Sequence, residues 1–440
     1  MTNRNTISRY HFGYLFVLVI SIITLTPALL NTEEVWAQFT VIPINVGEHP
    51  QNVEYNPSNG NMYVSNFYTG DISVIDNNTN KVIHTIQVNG SPNVLEYNPS
   101  NGNMYASNLD QILVIDSNTN KVIHTIDAGD SPQFLKYNPS NGNMYIGNLG
   151  EVLVVDSNTN KVIHTLRIPH SPTFLEYNPN NGNMYAVSDP NSDTDTDVNS
   201  KVLVIDNATN KLIHTIGVGK SPSFVEYNPS NGNMYVSNSG SGDISVIDSN
   251  TNKVIHIIQV GSGSDTSPDA LKYNPSNGDM YGTSVSDSDG IGNVFVIDNS
   301  TNKVVRTIDG GDNMHTLIYN PSNGNMYGTS VSDSDGSGNV FVIDNSTNKV
   351  IRTIDGGDNM HNLVYDPSNG NMYGTSISNS DGTGKVIVID SDTDKVLQTV
   401  DVGDNPVDIK YNPSNGDIYV VNENSDSVSL ITTTKTNSTS

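Results

Sequence analysis

Tyr55-Asn56-Pro57-Ser58-Asn59-Gly60-Asn61-Met62-Tyr63 is a phrase that returns nearly unchanged with copies opening at Tyr97, Tyr137, Tyr177, Tyr227, Tyr273, Tyr319, Tyr365 and Tyr411. Successive copies are 42, 40, 40, 50, 46, 46, 46 and 46 residues apart, a period that belongs to solenoids, propellers and arrays. Eighteen of the 21 tyrosines stand at the two ends of the phrase. The function therefore rests on a repeated scaffold. Upstream of each copy lies a short half-apolar run such as Val94-Leu95-Glu96-Tyr97, and downstream another, Met104-Tyr105-Ala106-Ser107-Asn108. Pro-Ser-Asn-Gly between them reads as a hairpin loop, because proline presets φ and Asn-Gly accepts the left-handed conformations that reverse a chain.

A third run, Ile112-Leu113-Val114-Ile115-Asp116, is rich in branched residues, and a turn at Ser117-Asn118-Thr119-Asn120 leads to a fourth, Lys121-Val122-Ile123-His124-Thr125-Ile126. No segment after residue 40 keeps a helical period. Each repeat is thus four short strands, the unit of a β-propeller blade. The Asp closing each third strand (Asp76, Asp116, Asp156, Asp206, Asp248, Asp298, Asp344, Asp390) reads as the acceptor of an Asx-type turn rather than as part of a catalytic ring.

Tyr63-Val64-Ser65-Asn66, Tyr235-Val236-Ser237-Asn238 and Tyr419-Val420-Val421-Asn422 resemble the Tyr-Val-Thr-Asn signature of YVTN-family β-propeller repeats. The turn Asp206-Asn207-Ala208-Thr209-Asn210-Lys211 and the segment Val218-Gly219-Lys220-Ser221-Pro222 resemble the parts that follow that signature. The likeness runs over residues 39 to 432, and repeats six to eight depart from it with Tyr-Gly-Thr-Ser at Tyr281, Tyr327 and Tyr373. It implies a propeller on a surface or secreted protein, similar to archaeal surface-layer-type propellers, and no single activity.

The ends of the repeat region predict how the ring closes. Phe39 to Gly47 resembles a fourth strand with nothing before it, and Tyr411 to Thr432 supplies strands one to three with no fourth. The two fragments complete one another. The fold class is therefore all-β: a single propeller of four-stranded antiparallel blades, nine by this arithmetic, with the N-terminal strand completing the last blade and removing an exposed edge. An eight-bladed ring with a loose terminal unit is the alternative, since propellers usually have four to eight blades. Residues 433–440 read as a polar tail.

Ahead of the ring, Arg4 and Arg9 precede an uncharged apolar stretch from Phe12 to Leu30, then Glu33, Glu34 and Val35-Trp36-Ala37. Residues 1–37 read as a secretory signal cleaved after Ala37, or as an uncleaved membrane anchor. Both place the propeller outside the cell, because the positive flank stays in the cytoplasm. The chain has no cysteine and a formal net charge of −26. Disulfides are excluded, and so is phosphate-neutralising contact with nucleic acid.

Antiparallel order puts the near-identical Pro-Ser-Asn-Gly and Asn-Thr-Asn-Lys turns on one face of the ring. The other face carries the length changes: Asp189 to Ser200, Gly261 to Ser267, and the Ser-Asp-rich loops of repeats six to eight. Invariant turns serve the scaffold, so the variable face is the predicted site for a surface protein, a glycan or a second copy of the chain. Repeats six and seven differ at five of 46 positions, which suits an amplified scaffold better than an active centre of unlike residues.

That face also holds the candidate ligand residues. Asp287, Asp289, Asp333, Asp335 and the weaker Asp381 gather around glycine turns, the oxygen-donor chemistry calcium prefers, although the late bidentate Glu of a twelve-residue calcium loop is missing. Asp193, Asp195 and Asp197 read as an acidic loop. His84, His124, His164, His214 and His256 occupy one position of the outer strand and read as surface residues. His315 and His361, each following Asp-Asn-Met in neighbouring repeats, are the candidate ligand-binding pair with Asp312 and Asp358. Asn77, Asn207, Asn299, Asn345 and Asn437 begin glycosylation sequons. The expectation is a non-catalytic binding or structural module needing no cofactor, with calcium as an optional ion; the competing expectation is a lactonase-like propeller hydrolase or lyase with a metal at the channel mouth.

Overall fold

The structure is a computed structural model, and it describes residues 37–168, 172–188, 200–260, 266–286, 291–312, 314–331 and 336–435. At 37, 266, 286, 291, 311, 312, 315, 434 and 435 it describes the backbone alone. Residues 38–434 form one compact unit. Its architecture is nine four-stranded antiparallel sheets arranged as blades. The first blade runs Pro50–Tyr55, Met62–Asn66, Asp71–Asp76, Lys81–Gln87 from its inner to its outer strand. The pattern repeats around the ring, and the four strands of the second blade are Pro92–Asn98, Asn103–Asn108, Gln111–Asp116 and Lys121–Asp127.

The ring closes as the terminal fragments predict. Ala37–Asn45 is the outer strand of the ninth blade, beside Ser427–Lys435, Asp417–Asn422 and Pro406–Asn412. Val46 N–H donates to Asp426 O at 3.1 Å, and the Phe39 side chain is buried edge-on against Tyr373 of the eighth blade at 6.1 Å. Strand Ser427–Lys435 runs three residues into the stretch read as tail, because Thr432, Thr433 and Thr434 are β-branched and extend the ladder.

The core lies between blades. The two middle strands of a blade are buried on both sides, whereas the outer strand is mostly exposed and buries Ile126 alone. Tyr63, Ile72, Val74 and Ile86 of the first blade pack on Leu95, Met104, Ala106, Leu113 and Ile115 of the second. The same kind of cluster joins last blade to first, through Tyr419, Val421, Val428 and Leu430 against Val53, Met62, Val64 and Ile75. Burial is therefore shared among similar interfaces, which suits a chain with 35% hydrophobic residues.

Turn chemistry follows the repeat. The glycine of every phrase copy, Gly60 through Gly416, has φ between 74° and 83°, where a side chain is strained. The Asp of each third strand opens the second turn as expected. Asp116 Oδ1 accepts Thr119 N–H at 2.8 Å and Thr119 Oγ1–H at 2.7 Å, and Asp156, Asp248 and Asp344 repeat this. These hydrogen bonds hold the Asp carboxyls below their usual range.

The outer edge is blunted. The register shifts by one residue between Val74 and Ile75, which pair with His84 and Val82, so Ile83 bulges. Ile123, Ile163, Ile213, Ile255, Val305, Ile351 and Leu397 occupy the same bulge. All eight are exposed large hydrophobics. A bulge twists an edge strand away from further pairing, so this apolar perimeter is a consequence of edge protection.

Candidate functional site

On the uniform face the repeated phrase fastens each blade to the next. Asn56 Oδ1 accepts Ser58 N–H at 2.9 Å inside the turn, and its Nδ2 reaches Ser117 Oγ of the following blade at 2.6 Å. Asn59 Nδ2 donates to Ser117 O at 2.7 Å and to Tyr63 Oη at 3.0 Å. The fully buried Tyr63 then donates its hydroxyl to Asn120 Oδ1 at 2.5 Å. Asn120 holds φ at 53°, a left-handed position that Asn tolerates. Burial pushes the phenol of Tyr63 up. The same fastening crosses the closing seam, where Tyr419 donates to Asn80 Oδ1 at 2.8 Å and Asn415 Nδ2 to Asn77 O at 3.1 Å. Most polar letters of the phrase are thus consumed in architecture.

The inner strands add a charged wall. The residue before each leading tyrosine is Glu54, Glu96, Lys136, Glu176, Glu226, Lys272, Ile318, Val364 and Lys410 in blade order. Lys136 pairs with Glu176 at 2.9 Å, Lys272 with Glu226 at 3.6 Å, and Lys410 with Glu54 at 2.9 Å. Burial raises Glu54 and Glu226 despite their lysines. Burial alone would lower Lys410, but Glu54 and Asp408 hold it above its usual value. Asp408 is also raised by burial, while accepting Val53 N–H and Asn52 Nδ2 at 3.0 Å. Glu96 is pushed up to about 7, first by burial and then by Glu54 next to it. Sequence reading missed this wall; the signal available was the Glu/Lys alternation one position before the phrase.

At the mouth of this wall, on the uniform face, lies a cavity of about 390 Å³ lined by Glu176, Glu226, Lys272, Tyr177, Tyr227, Tyr273, Tyr319 and the prolines of three phrase copies. On the variable face, a second cavity of about 340 Å³ is lined by Thr316, His361, Asn362, Ile377, Asn405, Pro406 and Val407.

The predicted ligand residues are described only in part. His361 faces that second cavity, and its carbonyl accepts Thr316 Oγ1–H at 2.8 Å and Thr329 Oγ1–H at 3.1 Å. Asp358 Oδ2 accepts Asn379 N–H at 3.2 Å. Asp312 ends strand Lys303–Asp312 and His315 lies in Met314–Tyr319, and their side chains fall outside the described atoms. Asp287, Asp289, Asp333, Asp335 and Asn437 lie outside the described residues, as do Asp193, Asp195 and Asp197. Asp381 is exposed, and its Oδ1 accepts Thr383 N–H at 3.2 Å and Thr383 Oγ1–H at 2.9 Å. Among the described residues, no group of three or more His, Asp or Glu side chains is placed to hold a metal. Of the sequon asparagines, Asn207 uses its side-chain amide as a donor to Asn181 O at 3.1 Å, and Asn77, Asn299 and Asn345 sit half-buried in second turns.

The variable face also shows side chains that the sequence did not single out. Tyr68, Leu109 and Leu149 tip the turns between the second and third strands of blades one, two and three, and are 67%, 59% and 55% exposed. Beside them His49 stacks on Tyr68 with ring centroids 4.1 Å apart and its Nε2 lies 3.0 Å from Glu423.

No protein-family model and no curated protein matches the sequence. Solved structures do match in shape. A eukaryotic initiation factor superposes with a TM-score of 0.60 at 12% identity, covering 82% of this chain and 89% of that one. The dihydro-heme d1 dehydrogenase NirN, in complex with DHE, gives 0.59 at 12% identity over 86% and 80%. The Dos1 propeller gives 0.57 at 13% identity over 89% and 94%. At these identities the likeness is one of fold, and the chain is a nine-bladed β-propeller.

Proposed function

We propose that this propeller is a non-catalytic binding module of the cell exterior, akin to the YVTN-type and surface-layer propellers its repeats resemble, and that it takes a protein partner on its variable face. The observation that carries the reading is the row of Tyr68, Leu109 and Leu149 on consecutive blades. Large apolar tips held in turns of a rigid scaffold are the material of binding hot spots, because little ordering entropy remains to be lost on docking. Exposed aromatics beside polar groups such as His49 and Glu423 match the composition of such surfaces. The apolar stretch from Phe12 to Leu30 behind two arginines supports an exterior location. The acidic charge of −26 keeps such a module soluble and directs it toward basic partners.

The experiment is surface plasmon resonance of residues 38–440 against outer-envelope protein from the producing cells, with wild type and the triple variant Tyr68→Ser, Leu109→Ser, Leu149→Ser. Binding by wild type that falls at least tenfold in the triple variant supports the reading. Equal binding by both proteins, or none by either, removes the variable face as the docking surface.

A further inference from the structure

The cavity at the opposite, uniform mouth coincides with a break in the repeat. Around most of the ring, the leading tyrosine of one blade is tied by its hydroxyl to the phrase serine of the blade before. Ser58 bonds Tyr97 at 2.7 Å, Ser100 bonds Tyr137 at 2.6 Å, Ser140 bonds Tyr177 at 2.6 Å, Ser230 bonds Tyr273 at 2.7 Å, Ser276 bonds Tyr319 at 2.9 Å, and Ser414 bonds Tyr55 at 2.5 Å. In the fourth copy the serine is replaced by Asn180. Asn180 keeps the turn bond of a serine, its N–H donating to Asn178 Oδ1 at 2.8 Å, but no hydrogen bond joins its side chain to Tyr227 as the serines join the tyrosines elsewhere. A methyl group placed on Gly232 would find Asn180 Nδ2 at 3.7 Å, where the same group on Gly182 or Gly278 would meet a serine Oγ at 3.0 Å. At Tyr365 and Tyr411 the serine is still present, as Ser322 and Ser368, and has turned to Asn320 and Asp366; at Tyr227 there is none. Tyr227 lines the cavity together with the tied Tyr177, Tyr273 and Tyr319.

We infer that this break is a saccharide-binding site, taking a neutral mono- or disaccharide-sized segment in the cavity formed by Tyr177, Tyr227, Tyr273, Glu226 and Lys272. The chemistry of the lining selects the class. The wall offers tyrosine rings and prolines, surfaces that accept the C–H face of a sugar ring. The floor offers carboxylates and an ammonium side by side, with Lys272 and Glu226 3.6 Å apart. An organic cation is disfavoured by Lys272, an anion by Glu176 and Glu226, and an apolar peptide by both. A neutral polyol has donors for the carboxylates, acceptors for the ammonium, and a partner for the Tyr227 hydroxyl. The cavity, about 390 Å³, falls at the small end of ligand clefts. This site is independent of the variable face and stands or falls without it.

The test is saturation-transfer NMR and isothermal titration of residues 38–440 with glucose, galactose, mannose, N-acetylglucosamine and the β-1,4-linked disaccharides of glucose and N-acetylglucosamine. Choline, acetate and decaproline are the contrasting probes. At least one neutral sugar should saturate the protein. Tyr227→Phe, which keeps the ring, should weaken it roughly three- to tenfold, the value of one neutral hydrogen bond. Asn180→Ser restores the loop found in the flanking copies, so it should fold as wild type and weaken the sugar by a similar factor. No sugar binding at tens of millimolar overturns the inference, as does binding of choline, acetate or decaproline in preference to sugars. Sugar affinity unchanged in both variants overturns it as well.

Discussion

Glu96→Gln should stabilise the protein at alkaline pH and leave it unchanged in acid. Glu96 sits in the channel wall between Glu54 and Lys136, and Lys136 is already committed to Glu176 at 2.9 Å. Its carboxyl is raised from 4.5 to about 7, with burial as the first cause and Glu54 as the second. Below pH 4.5 the group is protonated in the folded and unfolded chain alike, and the native preference for the neutral acid is fully expressed. As pH rises through about 7 the native state must ionise it in a poor environment, and that contribution is lost. A rise of this size corresponds to about 3 kcal/mol, and screening by channel water reduces it to roughly 1–2 kcal/mol. Gln keeps the shape and never ionises. Urea unfolding of residues 38–440 followed by circular dichroism should therefore give equal stability for wild type and variant at pH 4.5, and about 1–2 kcal/mol in favour of the variant at pH 8.5. A difference of the same size at both pH values, or a variant less stable at pH 8.5, refutes the argument.

Three further outcomes are expected. Tyr145→Phe removes the buried hydroxyl that donates to Asn210 Oδ1 at 2.8 Å, so it should cost about 1–2 kcal/mol in urea unfolding, and an unchanged midpoint would mean that these hydroxyls do not fasten blades. Removing residues 38–45 strips the outer strand from the ninth blade and the Phe39 contact with Tyr373. The exposed edge should appear as dimers or aggregates in size-exclusion chromatography with light scattering, and a monomer with a wild-type melting curve would contradict the closure. Asp381→Ala deletes a carboxylate that serves Thr383; its melting temperature should respond identically with and without chelator, and a chelator effect present only in wild type would make Asp381 a calcium ligand.

The blades, their count and the closing strand were legible because they depend on local signals: apolar runs of fixed length, Asn-Gly turns, and two fragments that sum to one blade. The role of Asn56, Asn59 and Tyr63 was not. Their partners, Ser117 and Asn120, lie about sixty positions away in the next blade, and nothing in a hairpin's letters distinguishes a turn former from a tie to a neighbour. The invariant face consequently read as scaffold alone, and the serine missing from the fourth copy was not singled out. Its significance needs the ties between blades, in which the phrase serine of one copy meets the leading tyrosine of the next. His315 and His361 drew attention because each follows Asp-Asn-Met in neighbouring repeats, but a shared position in the repeat does not say where two side chains point. The charged wall was hidden for the opposite reason: Glu and Lys beside tyrosine look like ordinary strand polarity until nine inner strands are brought around one axis.

Closure by the first strand also fixes an order of events. His49 N–H meets Asp426 Oδ1 across 377 positions of sequence, so the seam is the last contact available to a chain synthesised or translocated from its N-terminus. Until the ninth blade arrives, strand Ala37–Asn45 has no partner, and the intermediate is an open arc with sticky ends at both termini. Each completed blade adds a nearest-neighbour interface, as in a linear array, but the final one joins two ends already held in place and so gains from reduced loop-closure entropy. Ring closure is therefore the last cooperative step, the point at which one arc closes on itself or, in a competition that grows with concentration, on another molecule.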